Sequence, residues 1–197
     1  MRLLITCILF LSVFAGMAGA DEALWDLLKE GGQVAVIRHA STEAGFGDPP
    51  GYRLEECATQ RNLSAAGREE AMRIGAAFRE RGVPVEKVLS SPWCRCLDTA
   101  RLAFGSAEMW APLGSFHDDQ SLGPGQTRQV RLLIGKYRDA GNLVLVTHQV
   151  NIRALTGIGP GQGEMVILTP LGDGDFRVAG RLLPAATAKE PMAGSGK

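Results

Sequence analysis

Aromatic residues make up only 6% of this 197-residue chain, histidine occurs three times, and cysteine four times. With so few cysteines, stability has to come from an apolar core, for which a 45% hydrophobic composition is sufficient. Charge of one sign is missing as well, since 21 Lys+Arg face 21 Asp+Glu. That balance excludes bulk electrostatic attraction to nucleic acid or anionic lipid as the organising theme. There is one long hydrophobic run, Leu3 to Phe14, preceded by Arg2 and followed by Ala18-Gly19-Ala20. This order is that of a secretory signal peptide over residues 1–20. No later stretch reaches the ~20 apolar residues of a membrane span. The sequence therefore predicts an exported protein, periplasmic or secreted, with no stable membrane insertion after signal removal and no nucleic-acid partner.

Removal of the segment takes Arg2 and Cys7 with it. The net charge becomes about −1, and Cys57, Cys94 and Cys96 remain. Three cysteines in an oxidising compartment allow one disulfide and one free thiol. A bridge between Cys94 and Cys96 would close a strained ring, so Cys57 paired with Cys94 or with Cys96 is expected.

Along the remaining chain, short apolar runs alternate with helical periodicity. Val34 to Ile37, Val85 to Leu89 and Leu143 to Val146 read as strands, the first and last as runs covered on both faces. Ser64 is placed to cap a helix reaching about Arg81, with Ala71, Ile74 and Phe78 on one side. Leu97, Ala100 and Phe104 mark a second helix, and Val130, Leu133, Ile134 and Tyr137 a third that Gly141 is expected to end. A short helix is expected around Ile152 to Leu155. Glu164 to Thr169 and Phe176 to Leu182 read as a hairpin joined by Gly172-Asp173-Gly174. Ala40 to Asn62 and Gly105 to Gly125 read as irregular, and 184–197 as a flexible tail. The fold class that follows is three-layer α/β/α with a largely parallel central sheet and an edge hairpin, in one domain over residues 21–183.

Ligands of such sheets sit outside the carboxyl ends of the strands. Here those ends read Arg38-His39, Ser90-Ser91-Pro92-Trp93-Cys94-Arg95 and Thr147-His148. Arg38, His39, Arg95 and His148 would thus share one rim. Two guanidinium groups suit the paired oxygens of a phosphoryl group, and a neutral imidazole can attack phosphorus in line.

Four segments at these positions, "RHA" at Arg38 to Ala40, "NLSAAGREEA" at Asn62 to Ala71, "LSSPWCRCLDTA" at Leu89 to Ala100 and "VTHQVN" at Val146 to Asn151, together resemble the histidine phosphatase superfamily, also called phosphoglycerate mutase-like. The resemblance implies an exported bacterial-type phosphatase that hydrolyses a small phosphorylated substrate through a phosphohistidine. His39 would be the nucleophile, Arg38 and Arg95 the phosphate clamps, and His148 the second histidine. Thr42 would be a pocket hydroxyl, with no metal and no cofactor. One branch of the family carries Asp directly after the second histidine as general acid, whereas Gln149 stands there in this chain. Asp118 and Asp119 are then the favoured acids, Asp119 slightly ahead, with Glu43 and Glu164 behind. Arg61 and Gln149 are expected to touch substrate.

Other readings exist for the same residues. The chain could be a non-catalytic phosphate-ligand binder or a phosphoglycerate mutase-like phosphotransferase, and Cys94-x-Cys96 could serve redox chemistry. Arg95 alone could pair with Asp98 at i, i+3. His117 reads as an exposed loop histidine, Arg53 as a solvated charge or a substrate contact, and the three tryptophans as packing residues.

Overall fold

The computed structural model describes residues 20–183, so the expected signal segment (apart from its last residue) and the 184–197 tail lie outside the described residues. The described chain opens in a helix, α1 (20–30), and enters strand β1 (Val34–Arg38). Helix α2 (Ala65–Glu80) follows the first long loop and leads to β2 (Val85–Ser90), then α3 (Cys94–Phe104). A two-residue strand, β3 (Glu108–Met109), and helix α4 (Gly123–Lys136) come next. The chain continues through β4 (Asn142–Thr147), α5 (Gln149–Thr156), β5 (Met165–Gly172) and β6 (Asp175–Leu182).

The six strands form one sheet in the order β3-β2-β4-β1-β5-β6. β3, β2, β4 and β1 run parallel, while β5 and β6 form an antiparallel hairpin along one side of β1. Alternation along β1 divides the core into two layers. Ala35 and Ile37 pack with Trp25, Leu28, Ile74, Phe78 and Ala100 of α1, α2 and α3. Val34 and Val36 pack with Val130, Ile134, Ile152 and Leu155 of α4 and α5. Each such aliphatic side chain contributes about 1.5–3 kcal/mol by leaving water. The result is the three-layer α/β/α arrangement with an edge hairpin that the sequence predicts.

Strand β5 runs three residues beyond the expected Thr169, to Gly172, and both ends of α4 differ from expectation. Helix α4 stops at Lys136 rather than running on to Gly141, because Tyr137 turns into extended backbone and buries its ring, its hydroxyl donating to Gly141 O at 2.8 Å. The same helix starts at Gly123, inside the stretch expected to be irregular. Pro124 is tolerated there because the first-turn N–H groups have no helical partner. The short β3 in that stretch was not legible, since two exposed residues leave no period to read.

Ser64 caps α2 as expected, accepting from Gly67 N at 3.0 Å. Gly67 itself allows the helix to lie against the loop after β1, because a Cβ there would sit 1.8 Å from Ser41 O. This contact draws the start of α2 toward the strand-end rim.

Candidate active site

β1, β4 and β2 are adjacent and in register, with Arg38 opposite Thr147 and Ser90 opposite Val146. Their carboxyl ends therefore deliver His39, His148 and Ser91 to one place. His39 N donates to Thr147 O at 3.0 Å and Ser91 N to Val146 O at 2.9 Å, which prolongs the ladder by one residue at each site. The chain then turns directly into α3 and α5, whose N-terminal dipoles favour negative charge.

The two imidazoles lie with ring centroids 5.5 Å apart. His39 is buried, and its Nδ1 lies 2.9 Å from Ala40 O. A carbonyl can only accept, so Nδ1 carries the proton and Nε2 keeps its lone pair. Burial lowers its pKa to about 3, with Arg95, Arg38 and Arg61 adding to that effect, so the ring is neutral near pH 7. Burial also holds His148 well below the ordinary histidine value, assisted by His39 and the same arginines. Its Nε2 lies 2.8 Å from Ser91 Oγ and 3.5 Å from Cys96 Sγ.

The arginines are each anchored through Nη1. Arg38 donates from Nη1 to Pro160 O at 2.9 Å, and Arg95 from Nη1 to Asp48 Oδ1 at 2.7 Å. The Nε of each is buried without a hydrogen-bond partner. Arg61 donates from Nη1 to Thr42 Oγ1 at 2.7 Å and Gly45 O at 3.1 Å, and from Nε to Gly47 O at 2.8 Å. Gln149 Nε2 donates to Pro160 O at 3.2 Å.

A cleft of about 690 Å³ is lined by Arg38, His39, Thr42, Arg61, Arg95, His148 and Gln149. All of the residues expected to act or bind there are thus gathered, apart from the acid pair, which divides. Asp118 lines the cleft and accepts from the Tyr52 hydroxyl at 3.3 Å. Asp119 does not line it; its carboxylate accepts from Ser121 N at 3.0 Å and Ser121 Oγ at 2.5 Å, capping a short 3-10 turn. Glu43 lines the cleft too. Glu164 is buried outside it. Burial raises its pKa, but hydrogen bonds from Arg181 and Gly161 N, with the charges of Arg181 and Arg38, outweigh that and hold it below the usual value.

Residues 34–113 match the family model of the histidine phosphatase superfamily, branch 1. The match takes in Arg38, His39, Arg61 and Arg95, while His148 is brought to them by β4. No curated protein matches the chain. Among solved structures, the chain is similar to the protein histidine phosphatase SixA complexed with tungstate, at 16% identity, a TM-score of 0.51, and 77% and 97% coverage of the two chains. It is also similar to a phosphoserine phosphatase mutant from Entamoeba histolytica in complex with phosphoserine, at 14% identity, TM-score 0.54, and 76% and 95% coverage. The mycobacterial glucosyl-3-phosphoglycerate phosphatase Rv2419c gives 18% identity, TM-score 0.54, and 74% and 96% coverage. At these identities the likeness is one of fold.

Several residues of this site escaped the sequence reading. Asp48, in the loop after β1, buries its side chain and accepts from Arg95 Nη1, Arg61 N and Trp93 Nε1. Its only signal was its position in an otherwise glycine- and proline-rich loop. Ser91 sat inside a recognised motif without an assigned task. Gln162 reaches Thr42 Oγ1 at 3.1 Å from the far side of the cleft. His117 is exposed, as expected, yet it lines the cleft mouth against Phe46. The alternative pairing of Arg95 with Asp98 is not formed: Asp98 pairs with Arg68 at 3.1 Å. Arg53 pairs with Glu56 on the surface and lies outside the cleft.

The disulfide joins Cys57 to Cys94, one residue before Arg95, and Cys96 is the free, buried cysteine among the described residues. Burial pushes the Cys96 thiol up to about 12, which suits a packing residue and not a redox one. No group of three or more His, Cys, Asp or Glu among the described residues is placed to hold a metal ion.

Proposed function

We propose that the protein is a metal-independent phosphomonoester hydrolase with His39 as nucleophile. The observation that carries this reading is the convergence of the Arg38 and Arg95 side chains on one cleft with a neutral His39 whose Nε2 is unprotonated. Two guanidinium groups on one cleft suit the paired oxygens of a phosphoryl group.

In the first step the His39 Nε2 lone pair attacks phosphorus, the N–P bond forms and the ester P–O bond breaks. The leaving alkoxide takes a proton from a carboxylic acid, a role we assign to Asp118 because it, and not Asp119, faces the cleft. In the second step water attacks phosphorus, its proton passes to that carboxylate, the N–P bond breaks and inorganic phosphate leaves. Arg38 and Arg95 hold the equatorial oxygens, where transition-state charge accumulates. His148, kept in orientation by Ser91, completes the clamp. Thr42, Arg61 and Gln149 line the same cleft as substrate contacts. The similar structures of SixA complexed with tungstate and of the Entamoeba enzyme in complex with phosphoserine support an oxyanion ligand.

Residues 1–20 serve in this proposal as an export signal for the domain over 21–183. The Cys57–Cys94 disulfide supports an oxidising compartment, and no helix among the described residues is long and apolar enough to cross a membrane.

The test is hydrolysis of a generic aryl phosphate by the purified protein with and without EDTA. Activity is expected to survive chelation, to vanish in His39→Ala, and to fall in both turnover and affinity in Arg95→Ala. Tungstate binding without any turnover would instead identify a phosphate-ligand binding protein.

A further inference from the structure

Phe46 is 89% exposed at the mouth of the cleft, the most exposed large hydrophobic residue among those described. Nothing in folding accounts for this, because burying a phenylalanine stabilises a protein by roughly 1.5–3 kcal/mol and this ring forgoes most of that. The loop is nevertheless held in place. Arg61 donates to the carbonyls on both sides of Phe46, Gly45 O at 3.1 Å and Gly47 O at 2.8 Å. Gly45 and Gly47 have φ of 131° and 69°, conformations that other residues rarely adopt. A Cβ would meet no close contact at either position, so it is backbone shape, and not crowding, that requires glycine. The ring is thus presented outward by a built loop.

Opposite it, from the separate loop before α4, His117 meets Phe46 edge to face with centroids 5.3 Å apart. The two rings rim the same cavity that contains His39 and Arg95. Its volume of about 690 Å³ far exceeds a phosphoryl group and falls within the roughly 300–1,000 Å³ typical of sites for larger organic ligands. A single exposed ring is too small for a protein interface, which needs about 1,000 Å² or more. It is the right size for one ring of a small molecule.

We infer that Phe46 and His117 form a leaving-group subsite, and that the substrate is a phosphomonoester whose alcohol carries a planar, ring-bearing body. The inference rests on the phosphatase reading above. It also gives Arg61 a second task, since the side chain that borders the phosphate subsite holds the loop presenting the ring.

The test uses benzylphosphonate and ethylphosphonate, which the enzyme cannot hydrolyse and which differ chiefly in the ring. Dissociation constants are measured by calorimetry for the oxidised wild-type protein and for Phe46→Ala. The wild type is expected to bind benzylphosphonate about tenfold more tightly than ethylphosphonate, the scale of one aromatic contact with its buried area. In Phe46→Ala that ratio falls to about one, and Phe46→Trp retains it. Equal binding of the two compounds by the wild type, or a ratio that persists in Phe46→Ala, overturns the subsite while leaving the phosphate clamp intact. If neither compound binds, the clamp itself is wrong and the subsite falls with it.

Discussion

Asp48 and Arg95 form an ion pair of 2.7 Å with side chains only 4% and 5% exposed, and it joins the loop after β1 to the first turn of α3. The carboxylate takes up Arg95 Nη1 and so fixes the side chain that lines the cleft. Burial raises the Asp48 pKa, but hydrogen bonds from Arg95, Arg61 N and Trp93 and the Arg95 charge outweigh it, so the group stays ionised.

Asp48→Ala is expected to destabilise the protein by about 3–5 kcal/mol, because Arg95 is left buried and uncompensated. Denaturant unfolding measures the loss. Inorganic phosphate should raise the Tm of the variant more than that of the wild type, since the dianion supplies the missing negative charge. An equal rise in both would show that phosphate does not reach Arg95.

The acid assignment separates two neighbouring residues. Asp118→Asn should lose about 100-fold or more in kcat on alkyl phosphates and much less on aryl phosphates, whose leaving groups barely need a proton. Asp119→Asn should keep most activity on both, because that carboxylate serves Ser121. Should Glu43→Gln show the selective loss on alkyl substrates instead, the acid is Glu43.

Stability should decline on acidification in a way the two site histidines control. Unfolded histidine titrates near 6.5, whereas His39 in the fold titrates at about 3 and His148 well below 6.5. Between those limits the unfolded chain binds more protons, so the contribution is complete above about 6.5 and is lost as pH falls toward 3. Urea unfolding at successive pH values should show a shallower decline in His39→Gln. A variant with an unchanged slope would mean that the imidazole is not neutral in the fold.

Reducing the Cys57–Cys94 bridge should cost about 2–4 kcal/mol, as expected for a link closing 37 residues of chain. It should also weaken tungstate binding, because Gln60, which accepts from Cys94 N, and Arg61 follow Cys57 closely. Cys96 is buried and should react with a thiol reagent only after unfolding. A Cys57→Ser protein with wild-type stability and tungstate affinity would deny the bridge any role in shaping the cleft.

Much of the site was legible because a strand buried on both faces stays apolar until it leaves the sheet. The first polar residues after Val34–Ile37 and Leu143–Val146 therefore mark the rim, and they are Arg38-His39 and Thr147-His148. The start of α2 was legible in the same way, since Ser64 announces a cap that the Gly67 N–H completes. The loops carry no such period. Nothing in the order Asp118-Asp119 tells which carboxylate turns into the cleft and which caps the next turn.

The local alternation of apolar runs, caps and turn residues was enough to determine the layered fold, the edge hairpin and the strand-end cluster of two histidines and two arginines, because these depend on patterns a few residues long. Only the tertiary structure decided that Asp48 pairs with Arg95 and not Asp98, that Cys94 and not Cys96 takes Cys57, and that Phe46 and His117 meet across the cleft mouth. Those pairs lie 37 to 71 residues apart in the chain, and they meet because parallel strands and the loops between them bring distant segments to a single rim.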